Sequence, residues 1–281
     1  MQDDLINQAV FTDLDGTLLD ATDTLPSKNR EALHFLGEKK ILRVVVTGRS
    51  LVSAKRVLDF HFPIDVLATS TGGEIFKFPN HLLHSIVMSP EHVRRAAKLL
   101  KSLNLDFMVH STISQERYIK WSRNTTQNRD FEERLRIYSQ YQEPLSDDLD
   151  KLNAATQLLV ICPNDHGGYI KKLLEKRLFE YNIIRTTSPL DHHSIWYEIM
   201  PKEVSKSRAA IWICQHHGIA REKTLAIGND FNDLDLLRWS NSSYVVGNSP
   251  SELRHEFSVV ASNTNNGFAD AVYKWARANP D

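Results

Sequence analysis

Short apolar runs and helical patterns alternate from the start of the chain. Ala9-Val10-Phe11-Thr12 and residues 41–46 are apolar runs too short for a helix and read as buried strands. Between them Ser27 follows Pro26 and can cap a helix whose Ala32, Leu33 and Leu36 share one face. Residues 65–69 supply a third strand. This β-α-β-α-β order predicts a parallel sheet wrapped by helices.

From about Glu74 to Ile199 the texture changes. Hairpin-like strands are expected at 75–78 and 82–87, helices at 90–102 and 166–179, and separate strands at 118–121, 157–161 and 195–199. Residues 122–146 are polar, with no clear period. After Pro201 the alternation returns: helix 204–217, strand 224–227, helix 230–239, strand 244–246 and a helix at 268–277. The expected fold class is α/β, with a Rossmann-like parallel-sheet core built from residues 1–80 and 200–281. Residues 81–199 form an inserted α+β domain.

Composition narrows the function classes. The 281 residues are 41% hydrophobic and 25% charged, enough to build a core and unlike a disordered chain. Lys and Arg number 34 against 35 Asp and Glu, so nothing marks nucleic acid or an anionic membrane as a bulk partner. A small, local ligand is the better expectation. Two cysteines, Cys162 and Cys214, cannot form a disulfide framework and read as reduced thiols. The start, Met1-Gln2-Asp3-Asp4, is acidic where a secretory signal is basic, and no apolar run is long enough to span a bilayer. A soluble, cytoplasmic protein is expected. Its oligomeric state is left open.

The chemistry gathers where strands end. Asp13-Leu14-Asp15-Gly16-Thr17 directly follows the first strand, the edge at which open α/β sheets bind ligands. Asp13 and Asp15 can point the same way while the backbone is extended. Gly16 lets the chain turn and bring backbone N–H groups to an anion. Two such carboxylates repel unless a proton or a hard cation lies between them. Thr47-Gly48-Arg49 ends the second strand, Lys206 starts a helix, and Gly228-Asn229-Asp230-Phe231-Asn232-Asp233 follows a late strand. A hydroxyl and an ammonium suit a phosphate; an acidic and amide cluster suits a metal ion. Singly, Thr47 would be a turn residue, Lys206 a surface lysine and Asp233 a helix-start charge.

In this order the segments resemble the four motifs of the haloacid dehalogenase (HAD) superfamily, and specifically its Cof-like and sucrose-phosphatase-like phosphatases with a type-II cap. The likeness covers nearly the whole chain, with the inserted unit in the place of the cap. It implies Asp13 as nucleophile forming an aspartyl-phosphate and Asp15 as general acid and base. Thr47, Gly48 and Lys206 would bind the phosphoryl group, and Mg²⁺ would be held by Asp13, Asp15, Asn229 and Asp233. Arg49, Thr71 and Gly72 are candidate substrate contacts, and within the cap so are Arg123, Asn124, His192 and His193. Two departures stand out. Asn229 occupies a position where the family usually has Asp, and Ser70-Thr71-Gly72-Gly73 stands where relatives often carry Asn-Gly.

No Walker-type loop or dinucleotide-binding Gly-x-Gly-x-x-Gly is present, so ATP use and NAD binding are unsupported. His192-His193 and His216-His217 lack a second ligand pair at zinc spacing. The expected activity is Mg²⁺-dependent hydrolysis of a small phosphomonoester, with a sugar phosphate as the expected substrate. The alternatives are a phosphohexomutase and a non-catalytic sugar-phosphate-binding protein.

Overall fold

The computed structural model describes residues 6–112, 119–163, 168–188, 190–191 and 193–279. His192, Tyr118 at the start of one expected strand and His166 at the start of one expected helix lie outside the described residues. The chain divides into two compact units, Met1–Ser85 with Ser205–Asp281, and Ile86–Val204.

The first unit opens with β1 (Ala9–Thr12), α1 (Ser27–Glu38), β2 (Leu42–Val46), the short α2 (Leu51–Ala54) and β3 (Val66–Thr69). A hairpin of β4 (Glu74–Lys77) and β5 (His81–Ser85) follows. The second unit contributes α3 (Pro90–Ser102), β6 (Phe107–Ser111), β7 (Ile119–Ser122), α4 (Arg129–Ile137) and β8 (Gln142–Pro144). It ends with β9 (Ala155–Cys162), α5 (Tyr169–Arg177), β10 (Tyr181–Thr187) and β11 (Ile195–Pro201). The chain then returns to the first unit as α6 (Lys206–His217), β12 (Thr224–Gly228), α7 (Leu234–Trp239) and β13 (Ser242–Val245). It closes with α8 (Ser251–Glu256), β14 (Ser258–Val259) and α9 (Gly267–Ala278).

The first unit holds one sheet in the order β14-β13-β12-β1-β2-β3-β4-β5. It is parallel from β14 to β3, and β4 and β5 add an antiparallel edge. Alternate side chains of the parallel strands feed two cores. Val10, Val45, Leu67, Leu225 and Ile227 pack with Leu33 and Leu36 of α1 and Val272 and Trp275 of α9. Phe11, Val44, Val46, Ala68 and Ala226 pack with Ala210 and Ile213 of α6 and Leu236 and Leu237 of α7. A sheet buried on both faces needs continuous apolar strands, which is why these runs lack the polar alternation of a half-exposed strand.

The second unit has its own sheet, β10-β11-β9-β6-β7-β8, antiparallel except for the β7–β8 pair. Val93, Ala97 and Leu100 of α3 and Leu174 of α5 pack on Leu158, Val160, Tyr197 and Ile199. Phe131 of α4 packs in a separate cluster with Met108, Leu159, Ile161 and Trp196. The polar stretch 122–146 thus contains a helix, started by the Asn128 side chain, which accepts the Phe131 N–H.

The units divide at Ser85/Ile86 and Val204/Ser205. The expected divisions lay five residues earlier, at 80/81 and 199/200. β5 hydrogen-bonds to β4 in the first sheet, and β11 continues to Pro201 in the second. The second strand of the hairpin, β5, which the expected division placed in the inserted unit, is therefore an edge of the core sheet.

Candidate active site

β1 lies between β2, which follows it in the chain, and β12, which comes from the far end of the sequence. Strand order reverses there, so the loops leaving β1 and its neighbours open a crevice beyond the strand ends. Asp13 is the first residue past β1. Its backbone is extended (φ −67°, ψ 162°), and its N–H continues the ladder to the Ile227 carbonyl at 3.0 Å. Gly16 then takes φ +71°, a left-handed turn that a Cβ would strain. Its carbonyl is held by Asn248 Nδ2 at 2.9 Å.

Lys206 is the first residue of α6, positioned by the Ser205 hydroxyl, which caps the helix by accepting the Arg208 N–H at 3.2 Å. Its side chain is fully buried, with Nζ 2.6 Å from Asp13 Oδ1 and 2.5 Å from Asp233 Oδ1. Burial works against the ammonium, but the charges of Asp13 and Asp233 outweigh it and hold its pKa above the usual lysine range. Burial pushes the Asp13 carboxyl up to about 7; Lys206 pulls it down, while Asp233 and Asp15 add to the rise. With Lys206 held charged at hydrogen-bond distance, the pair is an ion pair with a carboxylate destabilised by its dry surroundings.

Asp233 faces Lys206 from the other side. Its second oxygen, Oδ2, accepts the backbone N–H groups of Asn229 at 2.8 Å and Asp230 at 3.1 Å. The Gly228 Cα comes close above it: a Cβ there would lie 2.6 Å from Asp233 Cβ. Asp233, expected as a metal ligand, is thus committed through both oxygens to Lys206 and to the loop that carries Asn229.

Asn229 is aimed at Asp13 and Asp15. One end of its side-chain amide lies 3.0 Å from Thr17 Oγ1, 3.1 Å from the Asp15 backbone oxygen and 3.2 Å from Asp13 Oδ2. If that end is the oxygen, it accepts from the Thr17 hydroxyl and faces two further oxygens. Adjacent ligand oxygens of an octahedral Mg²⁺, each about 2.05 Å from the metal, stand about 2.9 Å apart. Asn229 Oδ1 stands near that spacing from both Asp15 O and Asp13 Oδ2, and three such oxygens suit a small hard cation in chemistry. The Asp15 oxygen facing this point is its backbone carbonyl.

The Asp15 carboxylate has another partner. Arg49 Nε lies 2.9 Å from both Asp15 oxygens, and Nη2 reaches Asp15 Oδ1 at 2.5 Å and Asp23 Oδ1 at 3.0 Å. These two acids outweigh burial and raise the guanidinium pKa above its ordinary value. Arg49, a candidate substrate contact, is here a clamp on Asp15.

Thr47 follows β2 and is buried, with its hydroxyl accepting the Arg49 N–H at 3.1 Å; Gly48 beside it is half-buried. Thr71 and Gly72, also candidate substrate contacts, are buried under this turn. Thr71 N–H donates to the Thr47 carbonyl at 2.9 Å, and a Cβ on Gly72 would lie 2.7 Å from Ala209 Cβ and 2.8 Å from the Ser205 carbonyl. Their contacts are with the floor of the site and with α6. In the second unit, Asn124 binds the Leu105 carbonyl and Asp106, and Arg123 pairs with Glu132.

The sequence reading placed Thr17 in the first motif without a role and missed Asn248, Asp23 and Asp235, whose carboxylate accepts the Ser207 N–H at 2.9 Å. Gly247-Asn248-Ser249-Pro250 is a turn cluster just beyond a strand, the same signal that marked the other loops. Asp23, in a polar turn with no strand before it, carried no such signal.

A family model for haloacid dehalogenase-like hydrolases matches residues 10–273. The 5-amino-6-(5-phospho-D-ribitylamino)uracil phosphatase YwtE of Bacillus subtilis (strain 168) is 25% identical over 279 residues, covering 93% of this chain and 96% of the relative. Among solved structures, the HAD-superfamily protein BT1666 from Bacteroides thetaiotaomicron aligns with TM-score 0.78 at 16% identity, over 98% of this chain and 97% of that one. The HAD subclass IIB sugar phosphatase BT4131 aligns with TM-score 0.77 at 18% identity, over 96% and 99%. The matched span runs from β1 to α9 and takes in Asp13, Lys206 and Asp233, so the chain belongs to the haloacid dehalogenase-like hydrolase family.

Proposed function

We propose that this protein is a phosphatase that hydrolyses a small phosphomonoester, with a sugar phosphate as the substrate class, through an aspartyl-phosphate on Asp13. The observation that carries the reading is the buried Asp13–Lys206–Asp233 cluster at the end of β1, with an oxygen-rich face turned toward Asn229. A binding protein has no need of a desolvated carboxylate at this position; a nucleophile gains from one. The names of the phosphatase relatives support the same class.

In the reaction a carboxylate oxygen of Asp13 attacks phosphorus and the P–O bond to the alcohol breaks, with the proton for the departing oxygen coming from Asp15. Water then attacks phosphorus, gives its proton to Asp15, and inorganic phosphate leaves as the Asp13 carboxylate is restored. Lys206 and the Thr47 turn offset the charge of the transferring phosphoryl group. Asp13 Oδ2, the Asp15 carbonyl and Asn229 Oδ1 would hold the divalent cation, Mg²⁺, with Asp233 fixing the loop behind them. That ion, when bound, supplies charge neutralisation for the phosphate and the nucleophile. Arg49 orients the Asp15 carboxylate through its paired contacts with both oxygens.

The test is phosphate release from a panel of sugar phosphates and an aryl phosphate, with Mg²⁺ and with chelator, and with Asp13→Asn as control. Mg²⁺-dependent release that the variant loses supports the proposal. Isomerised sugar phosphate in place of free phosphate, or tight binding without turnover, overturns it.

A further inference from the structure

The Asn229 amide has two ends of almost the same shape and opposite chemistry. Its place is fixed closely. The Asn229 backbone N–H is tied to Asp233 Oδ2 at 2.8 Å, and a Cβ on Gly16 would lie 2.7 Å from the end of the amide that points away from the oxygens. The side chain thus lies between the Gly16 turn, which leaves room for it by lacking a Cβ, and the three oxygens of Thr17, Asp15 and Asp13. Within that space the move left to it is a half-turn of the amide, which exchanges NH₂ for C=O.

The two orientations suit different occupancies. With nitrogen toward the cluster, the NH₂ group has acceptors at 3.0, 3.1 and 3.2 Å for its two hydrogens, and the site is satisfied with no cation. With oxygen toward the cluster, only Thr17 can donate to it, and the Asp15 carbonyl and Asp13 carboxylate oppose it at oxygen–oxygen distances that a cation must bridge. Aspartate at this position would have no nitrogen to turn in, and would add a negative charge beside Asp13.

We infer that Asn229 is a two-position amide: it seals the cluster with its NH₂ group in the absence of a cation and turns its oxygen inward when one binds. This rests on the proposal that a divalent cation serves this site. The amide takes the cation's place in the empty protein, so the fold tolerates metal loss, and the cation is held less tightly than a carboxylate would hold it.

The test uses the full chain and Mg²⁺ alone, and its readouts do not depend on turnover. Thermal melting is compared for the wild type, Asn229→Asp and Asn229→Ala, in chelator and in saturating Mg²⁺. Wild type should melt highest of the three in chelator. Asn229→Asp should melt lowest there, gain the most from Mg²⁺, and bind Mg²⁺ about tenfold more tightly by calorimetric titration, because ligand charge sets such affinities. In the wild type, the side-chain NH₂ resonance that disappears in Asn229→Ala should be protected from exchange in chelator and lose that protection with Mg²⁺. The inference is overturned if Asn229→Asp melts with the wild type in chelator, if it binds Mg²⁺ no more tightly, or if the amide protection is the same with and without the ion. Should Asn229→Asp fail to fold, the amide resonance of the wild type decides the matter alone. Phosphate release from the same samples separates the two proposals: the melting and exchange pattern without turnover removes the phosphatase and keeps the amide switch, and turnover without the pattern does the reverse.

Discussion

A lysine with no solvent contact is tolerable only while its charge is answered, and Lys206 is answered twice, by Asp13 and Asp233. Truncating it strands two buried carboxylates. Lys206→Met should therefore lower stability by about 3–5 kcal/mol, the range for breaking a buried pair from one side. Urea unfolding reads this directly, and removing one stranded charge in Lys206→Met/Asp233→Asn should recover part of the loss. A single variant within 1 kcal/mol of wild type would mean that the cluster does not hold the loops together. Glu74 is another buried ionisable group, and among the described residues it has no ion-pair partner. It lies in β4 with the Thr69 hydroxyl at 3.5 Å, and burial pushes its carboxyl up to about 7 against the model-peptide value of 4.5. Between these values the folded chain keeps a proton that the unfolded chain has released. The stabilisation from that proton is therefore complete below about pH 4.5 and is lost as the pH rises through 7, with a limit of about 3 kcal/mol. Glu74→Gln cannot ionise, so it should melt above wild type at pH 8, with the gap closing toward pH 4.5. A gap that does not change with pH would sever the link to ionisation.

The elements that matter most are the turns at strand ends, and helix α6 shows how they depend on one another. Its first residue is Lys206, and Gly72 of a neighbouring turn lies against that end at φ +96°, where a Cβ would meet Ala209 and the Ser205 carbonyl. At the other end, Gly218 takes φ +67° as the helix stop, with no atom within 4 Å of a built Cβ. Alanine at Gly218 should cost only the backbone strain, about 1 kcal/mol. Alanine at Gly72 adds overpacking, for a total of at least about 2 kcal/mol. Because the added methyl pushes on the start of α6, Gly72→Ala should also reduce kcat for an aryl phosphate by tenfold or more, a small displacement of Lys206 being sufficient. Equal stability losses with unchanged kcat in both variants would show that Gly72 does not set the lysine. The contrast also shows what a sequence can reveal. Asp13, Asp15, Lys206 and Asn229 were legible because each follows a recognisable strand or starts a helix. The roles of Gly72 and Asp233 were not, since they depend on which loop packs on which helix, 134 positions apart between Gly72 and Lys206. Arg49 was legible as a candidate, but its pairing with Asp23 is a matter of two loops meeting and leaves no local mark.

At the scale of the whole molecule, the central strands were read from their apolar runs to within a residue or two. The allocation of β5 was not, because an edge strand's own residues do not say which sheet it will join. Its edge position places residues 81–85 in the first unit, and every residue of the Asp13 cluster belongs to that unit too, drawn from both of its chain segments. Each unit has its own sheet with helices packed on it and its own buried side chains, the condition under which a domain melts on its own. Heating should accordingly produce two calorimetric transitions. Leu225→Ala removes a buried side chain from the first unit and Leu158→Ala one from the second, each at a cost of about 2–5 kcal/mol. Each variant should lower one transition, a different one in each case, and Asp13→Asn should move only the transition that Leu225→Ala moves. A single transition displaced equally by both leucine variants would mean that the two cores unfold as one, and a change in either unit would then reach the Asp13 cluster through stability alone.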